Sequence, residues 1–146
     1  MPGDIFNLER FVEAQKPNYS EILGELLYGQ NRTHWMWFVF PQIAGLASSE
    51  TARYFAITCL DEAKAYLSHP ILGERLLECT KVVNQLKERT ANQIFGSPDD
   101  LKFRSCMTLF ELVAGRESEF SKAIEKYYCG QRDIATLKLV NKEVDS

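Results

Sequence analysis

The 146-residue chain predicts an all-α domain, and three observations carry that expectation. Apolar residues recur at spacings of three and four along most of its length, no stretch keeps the alternation of a half-buried strand, and capping and breaking residues cut it into helix-sized pieces. About seven to nine short helices are expected, packed as one compact domain over 1–146. At 45% hydrophobic and 25% charged residues the chain has an ordinary globular composition, and a domain of this length buries roughly two thirds of the surface an extended chain exposes. No repeat, low-complexity tract or long linker divides it.

Leu8, Phe11 and Val12 form the inward face of a first helix that Pro17 stops. Asn18 or Ser20 can cap a second, with Ile22, Leu23, Leu26 and Leu27 inward and Gly29 as its terminator. The run from Thr33 to Gln42 follows, and it holds both tryptophans, two of the nine phenylalanines and one of the two histidines. Seven consecutive apolar residues fit a buried strand or a buried helix equally well. A helix capped by Thr33 is favoured because no second strand is evident to pair with it.

Ser48 or Ser49 can cap a piece carrying Ala52, Phe55 and Ala56, and Asp61 another with Ala63, Tyr66 and Leu67. Ser68-His69-Pro70 opens the clearest helix, marked by Leu72, Leu76, Cys79, Val83 and Leu86. Thr90 to Gln93 reads as a capping box for a brief turn ending at Gly96, and Ser97-Pro98-Asp99-Asp100 starts a long helix to about Ala114. Gly115 breaks it. Phe120, Ala123, Ile124 and Tyr127 mark the next helix, closed by Gly130, and a last short one turns Ile134 and Leu137 inward, with 141–146 expected to fray.

Composition also narrows the function. A net charge of −3 disfavours duplex nucleic acid as a partner, and no stretch reaches the roughly 20 apolar residues that span a bilayer. The first residues lack a basic flank followed by an apolar core, so a cytoplasmic location is expected. Cys59, Cys79, Cys106 and Cys129 lie twenty or more residues apart with no CxxC spacing, which predicts free thiols and no metal site. Glycine-rich phosphate loops, HExxH and GxSxG are missing as well, and no cofactor is implied.

Two groups of residues remain as candidates for chemistry. His34 opens the aromatic run in partly desolvated surroundings, Trp35 and Trp37 stand about 200° apart on a helix so that only one easily faces a pocket, and Gln42 could read an amide or base edge. In the nearly all-apolar helix from Pro98 to Ala114, Arg104, Thr108 and Glu111 share a stripe with Ser105 beside it. Buried charge must be paired, so that stripe lines either a polar cleft or an internal salt-bridge network. Lys102 and Arg104 could hold a phosphate, although Asp99 and Asp100 already place negative charge at that helix start. His69 reads as a capping or surface residue.

The stretches Arg10–Gln15, His34–Gln42, Ile94–Asp100 and Met107–Phe110 resemble the mainly helical domain-of-unknown-function family numbered 1810, sometimes mislabelled calpastatin. The likeness runs from about Phe6 to Leu139, with Thr33 and Cys106 where serine is common. It implies a single all-α domain and supplies no activity. A weaker similarity, through Tyr54, Leu72 to Thr80 and Phe95-Gly96, is to the helical family tied to NAD and ADP-ribose metabolism, whose members cleave N-glycosidic bonds. It would imply a carboxylate from Glu13, Asp100 or Glu111, an aromatic platform at Trp35 or Trp37 and a donor at His34 or Arg104, by analogy with glycoside hydrolysis.

Two expectations follow. One is a binder of, or N-glycosidase acting on, a nucleotide- or ADP-ribose-like molecule, in a cleft between the aromatic run and the 98–114 helix where His34, Asp100 and Arg104 converge, with Trp35, Trp37, Gln42, Lys102, Ser105 and Thr108 as binding residues. The other is a non-catalytic protein-interaction domain whose aromatic run is purely core.

Overall fold

The computed structural model describes residues 5–30, 32, 33 and 35–145, with side chains as far as Asn141, and within them the chain is mainly helical. Ten helices are formed among the described residues: α1 (Glu9–Gln15), α2 (Tyr19–Tyr28), α3 (Met36–Val39), α4 (Glu50–Tyr54), α5 (Leu60–Ser68), α6 (Leu72–Gln85), α7 (Ala91–Phe95), α8 (Asp99–Ala114), α9 (Glu119–Tyr128) and α10 (Ile134–Asp145). That exceeds the seven to nine expected, because every short piece marked by a cap, α4 and α7 included, closes a helical turn of its own. Ser49 accepts from the Ala52 amide in α4. Thr90 and Gln93 complete the capping box of α7 in both directions, at 3.1 and 2.9 Å. The last helix also runs past the point where the sequence suggests fraying, reaching Asp145.

Helix α8 is the axis of the fold, with α3, α5, α7, α9 and α10 packed around it. Phe103 and every residue from Ser105 to Glu111 are buried, while Leu101 and Leu112 near its two ends are exposed, so the expected near-complete burial holds for the middle of the helix. Against its first turns sits an aromatic cluster in which Phe95 stacks on Phe103 at 4.6 Å and Phe40 meets Phe103 edge-on at 4.9 Å. The α5–α6 corner is tighter still. A Cβ at Gly73 would lie 2.0 Å from the Leu67 carbonyl oxygen, so only glycine lets α6 start this close to the end of α5. His69 caps the corner by accepting at Nδ1 from the amides of Ile71 and Leu72.

The aromatic run departs most from expectation. Only Met36 to Val39 are helical, Trp35 occupies the cap position without a side-chain capping bond, and Thr33 caps nothing because its hydroxyl donates to Glu25. Past Pro41 the backbone extends and finds the pairing segment that the sequence did not reveal. Ile43 forms an isolated parallel bridge with Ile57, through Ile57 N to Gln42 O and Ala44 N to Ile57 O, both 2.8 Å. A buried ion pair secures the other side of that segment. Arg10 donates to Glu62 at 2.8 Å and to the carbonyls of Tyr54 and Ala56, while Glu62 also accepts from Thr58.

Candidate functional site

Glu25 organises the approach to the aromatic run. It projects from the inward face of α2, only 9% exposed, and accepts from Arg32 N at 2.6 Å, Thr33 N at 3.0 Å, Thr33 Oγ1 at 2.7 Å and Trp35 Nε1 at 2.9 Å. Burial works against its ionisation, but the bonds from Thr33, Trp35 and Arg32 outweigh it and hold the carboxyl below its ordinary range. Trp35 is thereby fixed in the core, its ring 6.1 Å from Phe40. The sequence carried one clue to Glu25: a carboxylate at the three-residue step between Ile22 and Leu26 stands on an otherwise apolar stripe. His34 lies outside the described residues.

Trp37 is the tryptophan that does not join the core. Half-buried, it lines a cavity of about 20 Å³ together with Met36, Phe40, Gln42, Phe55 and Lys102. The recess lies chiefly between the aromatic run and the 43–56 segment, with Lys102 as the contribution of α8, and it gathers three expected binding residues: Trp37, Gln42 and Lys102. Lys102 Nζ lies 4.5 Å from the Trp37 ring centroid and 3.0 Å from Asp99 Oδ1. An open groove of about 550 Å³ adjoins it, sharing Gly45, Ala47 and Ala56 and adding Arg53, Ser48 and Thr58.

The remaining candidates go elsewhere, and helix geometry gives the reason. At 100° per residue, Asp100, Arg104, Thr108 and Glu111 stand roughly 160–240° from Lys102 around α8, so they cannot face the same recess. Asp100 accepts from Asn92 Nδ2 at 3.4 Å, and its carbonyl accepts from the Tyr128 hydroxyl. Glu111 is clamped by Arg132, which donates from Nε at 3.0 Å and Nη2 at 2.6 Å, with Arg116 at 3.7 Å. Burial opposes ionisation of Glu111, and the Arg132 and Ser121 bonds and the arginine charges override it and pull the carboxyl down. Thr108 Oγ1 accepts from Asp133 N and Ser105 Oγ donates to Asp133 Oδ2, both 3.0 Å. Arg104 Nη2 approaches Asp133 at 3.8 Å, while its buried Nε has no hydrogen-bond partner.

The α8 stripe thus forms a salt-bridge network, one of its two expected roles, that ties α8 to the segment leading into α10, and its Arg104 end lines an open groove of about 630 Å³ with Arg132 and Asp133, apart from the aromatic run where the cleft was expected. Arg132 and Asp133 carried no sequence signal, since their contacts bridge more than twenty residues. Glu13 is exposed on α1 and does not line the recess. Trp35 is likewise removed from the binding set by its burial. No group of metal-binding side chains forms among the described residues, where Cys79 and Cys106 are buried, Cys59 is half-buried and Cys129 is exposed. Burial pushes the Cys79 thiol up to about 12.

The comparisons with known proteins agree with this architecture. A family model described as a protein of unknown function, DUF1810, matches residues 5–140. The chain belongs to this family. It is similar to the crystal structure of the conserved hypothetical protein Rv1873 from Mycobacterium tuberculosis, with 49% identity over 94% of this chain and 99% of that one, at a TM-score of 0.91. No curated protein matches the chain. Neither match describes an N-glycosidase. No helix among the described residues is long and apolar enough to cross a membrane.

Proposed function

We propose that this member of the DUF1810 family binds a small nucleotide-like ligand at the Trp37 recess. A half-buried indole, an amide and an ammonium meet there, and that combination suits a planar ring with a polar edge and a nearby anionic group. The cavity has room for about one water-sized group, so a purine would stack on the indole and send only an exocyclic substituent inside, with the rest of the ligand along the adjoining groove towards Arg53. The reading is one of binding. The carboxylates expected to serve glycosidic cleavage, Asp100, Glu111 and Glu13, do not line the recess.

Titrating AMP, ADP-ribose and NAD while following tryptophan emission tests it. Binding is expected to quench the wild-type signal, to leave the Trp37→Phe variant unresponsive, and to stabilise the protein by about 2.7 kcal/mol at a hundredfold excess over Kd. Absence of both quenching and thermal shift at millimolar concentrations of all three overturns the proposal. A second reading, a non-catalytic protein-interaction domain, draws on the complete burial of Trp35, Met36, Val39 and Phe40, which makes most of the aromatic run core. It expects no response to any of the three ligands.

A further inference from the structure

The Trp37 ring already carries a cation. One ammonium, Lys102 Nζ, bridges the indole face at 4.5 Å and the Asp99 carboxylate at 3.0 Å, with the lysine and aspartate side chains only 22% and 26% exposed. Both Lys102 and Trp37 line the recess, and its cavity of about 20 Å³ cannot take a ring beside them. On the face that Lys102 covers, a planar ligand gains the indole only where the ammonium leaves it. A neutral ligand offers the displaced ammonium nothing in return, whereas an anionic group next to the ring becomes its new partner.

We propose that Lys102 is the specificity-determining residue of the recess, selecting a planar ring with an adjacent anionic group, a nucleoside monophosphate in class, over the same ring without one. The inference rests on the ligand reading above and adds the direction of its selectivity. Asp99 sets the strength of the filter. It holds the ammonium in place on the unliganded ring and competes with the incoming anion for it.

The test compares AMP with adenosine by tryptophan quenching in the wild type and in Lys102→Ala, Lys102→Arg and Asp99→Asn. Wild type is expected to prefer AMP. Lys102→Ala should weaken AMP and strengthen adenosine, each by about threefold to fivefold, so that the ratio of affinities falls about tenfold or more. Lys102→Arg, which keeps the charge, should restore the preference, and Asp99→Asn should tighten AMP by about threefold. An unchanged AMP-to-adenosine ratio in Lys102→Ala, with both still binding, overturns the role of Lys102 and leaves the ligand reading standing. Binding of neither compound to wild type or to Lys102→Ala overturns both.

Discussion

Replacing Glu25 by glutamine removes a charge and almost no volume, which isolates the electrostatic part of its role. Its Oε1 accepts from two backbone amides and the Trp35 indole, and its Oε2 from the Thr33 hydroxyl. Hydrogen bonds to a charged group contribute about 1.5–3 kcal/mol against about 0.5–1.5 for neutral ones. If charge assistance is lost from the two or three bonds that keep good geometry, Glu25→Gln should cost about 2 kcal/mol, equivalent to about 6–8 °C in Tm for a domain of this size. Glu25→Ala should cost about 4 kcal/mol, because it also leaves the buried Trp35 Nε1 without an acceptor.

Urea unfolding followed by tryptophan emission at a series of pH values reads both quantities. Because the folded-state carboxyl is depressed, its stabilisation is fully present above the unfolded value near 4.3 and is lost as pH falls through the lower folded value. The gap between wild type and Glu25→Gln should stay constant from neutral pH to about pH 5 and close in stronger acid. A gap below about 0.5 kcal/mol at pH 7, or one that persists unchanged in strong acid, refutes the charge-assisted clamp.

Two further substitutions probe the frame around the site. Arg132→Ala takes the bidentate partner from the Glu111 carboxylate, 5% exposed, leaving it Arg116 at 3.7 Å, and is expected to cost about 3 kcal/mol by urea unfolding, with part of the loss recovered when Glu111→Gln is added. An unaltered midpoint for the single variant would mean the pair contributes nothing. Gly73→Ala drives a methyl to 2.0 Å from the Leu67 carbonyl, so despite the better helix propensity of alanine it should destabilise by about 1–3 kcal/mol in calorimetry. A rise in Tm would show that the α5–α6 corner relaxes freely.

Local periodicity and capping made the helices legible. Gly29 terminates α2 in a left-handed conformation at φ 88°, the Thr90 box starts α7, and the apolar stripe of α6 falls where its three- and four-residue spacing put it. Each of these signals is read by residues within one or two turns of itself. In the aromatic run the helix is shorter than expected, and the extended segment past Pro41 could not be foreseen because its partner at Ile57 is a single bridge with no strand-like pattern of its own. Helix angle could have sorted the candidate site further. The 200° that separates Trp35 from Trp37 also separates Lys102 from Arg104, and applying it to α8 would have split the expected binding set in two. Glu111 and Thr108 were identified as polar groups needing partners, but nothing local says that those partners are Arg132 and Asp133.

The network joining α8 to the segment around Arg132 bears on how the chain folds as it leaves the ribosome. A nascent chain that has emerged only as far as Cys129 holds the whole of α8, yet Glu111 lacks its bidentate guanidinium and Ser105 its carboxylate acceptor. The domain therefore reaches its mature interior only when the segment carrying Arg132 and Asp133 clears the exit tunnel, and shortening the chain before it would remove a keystone from the core.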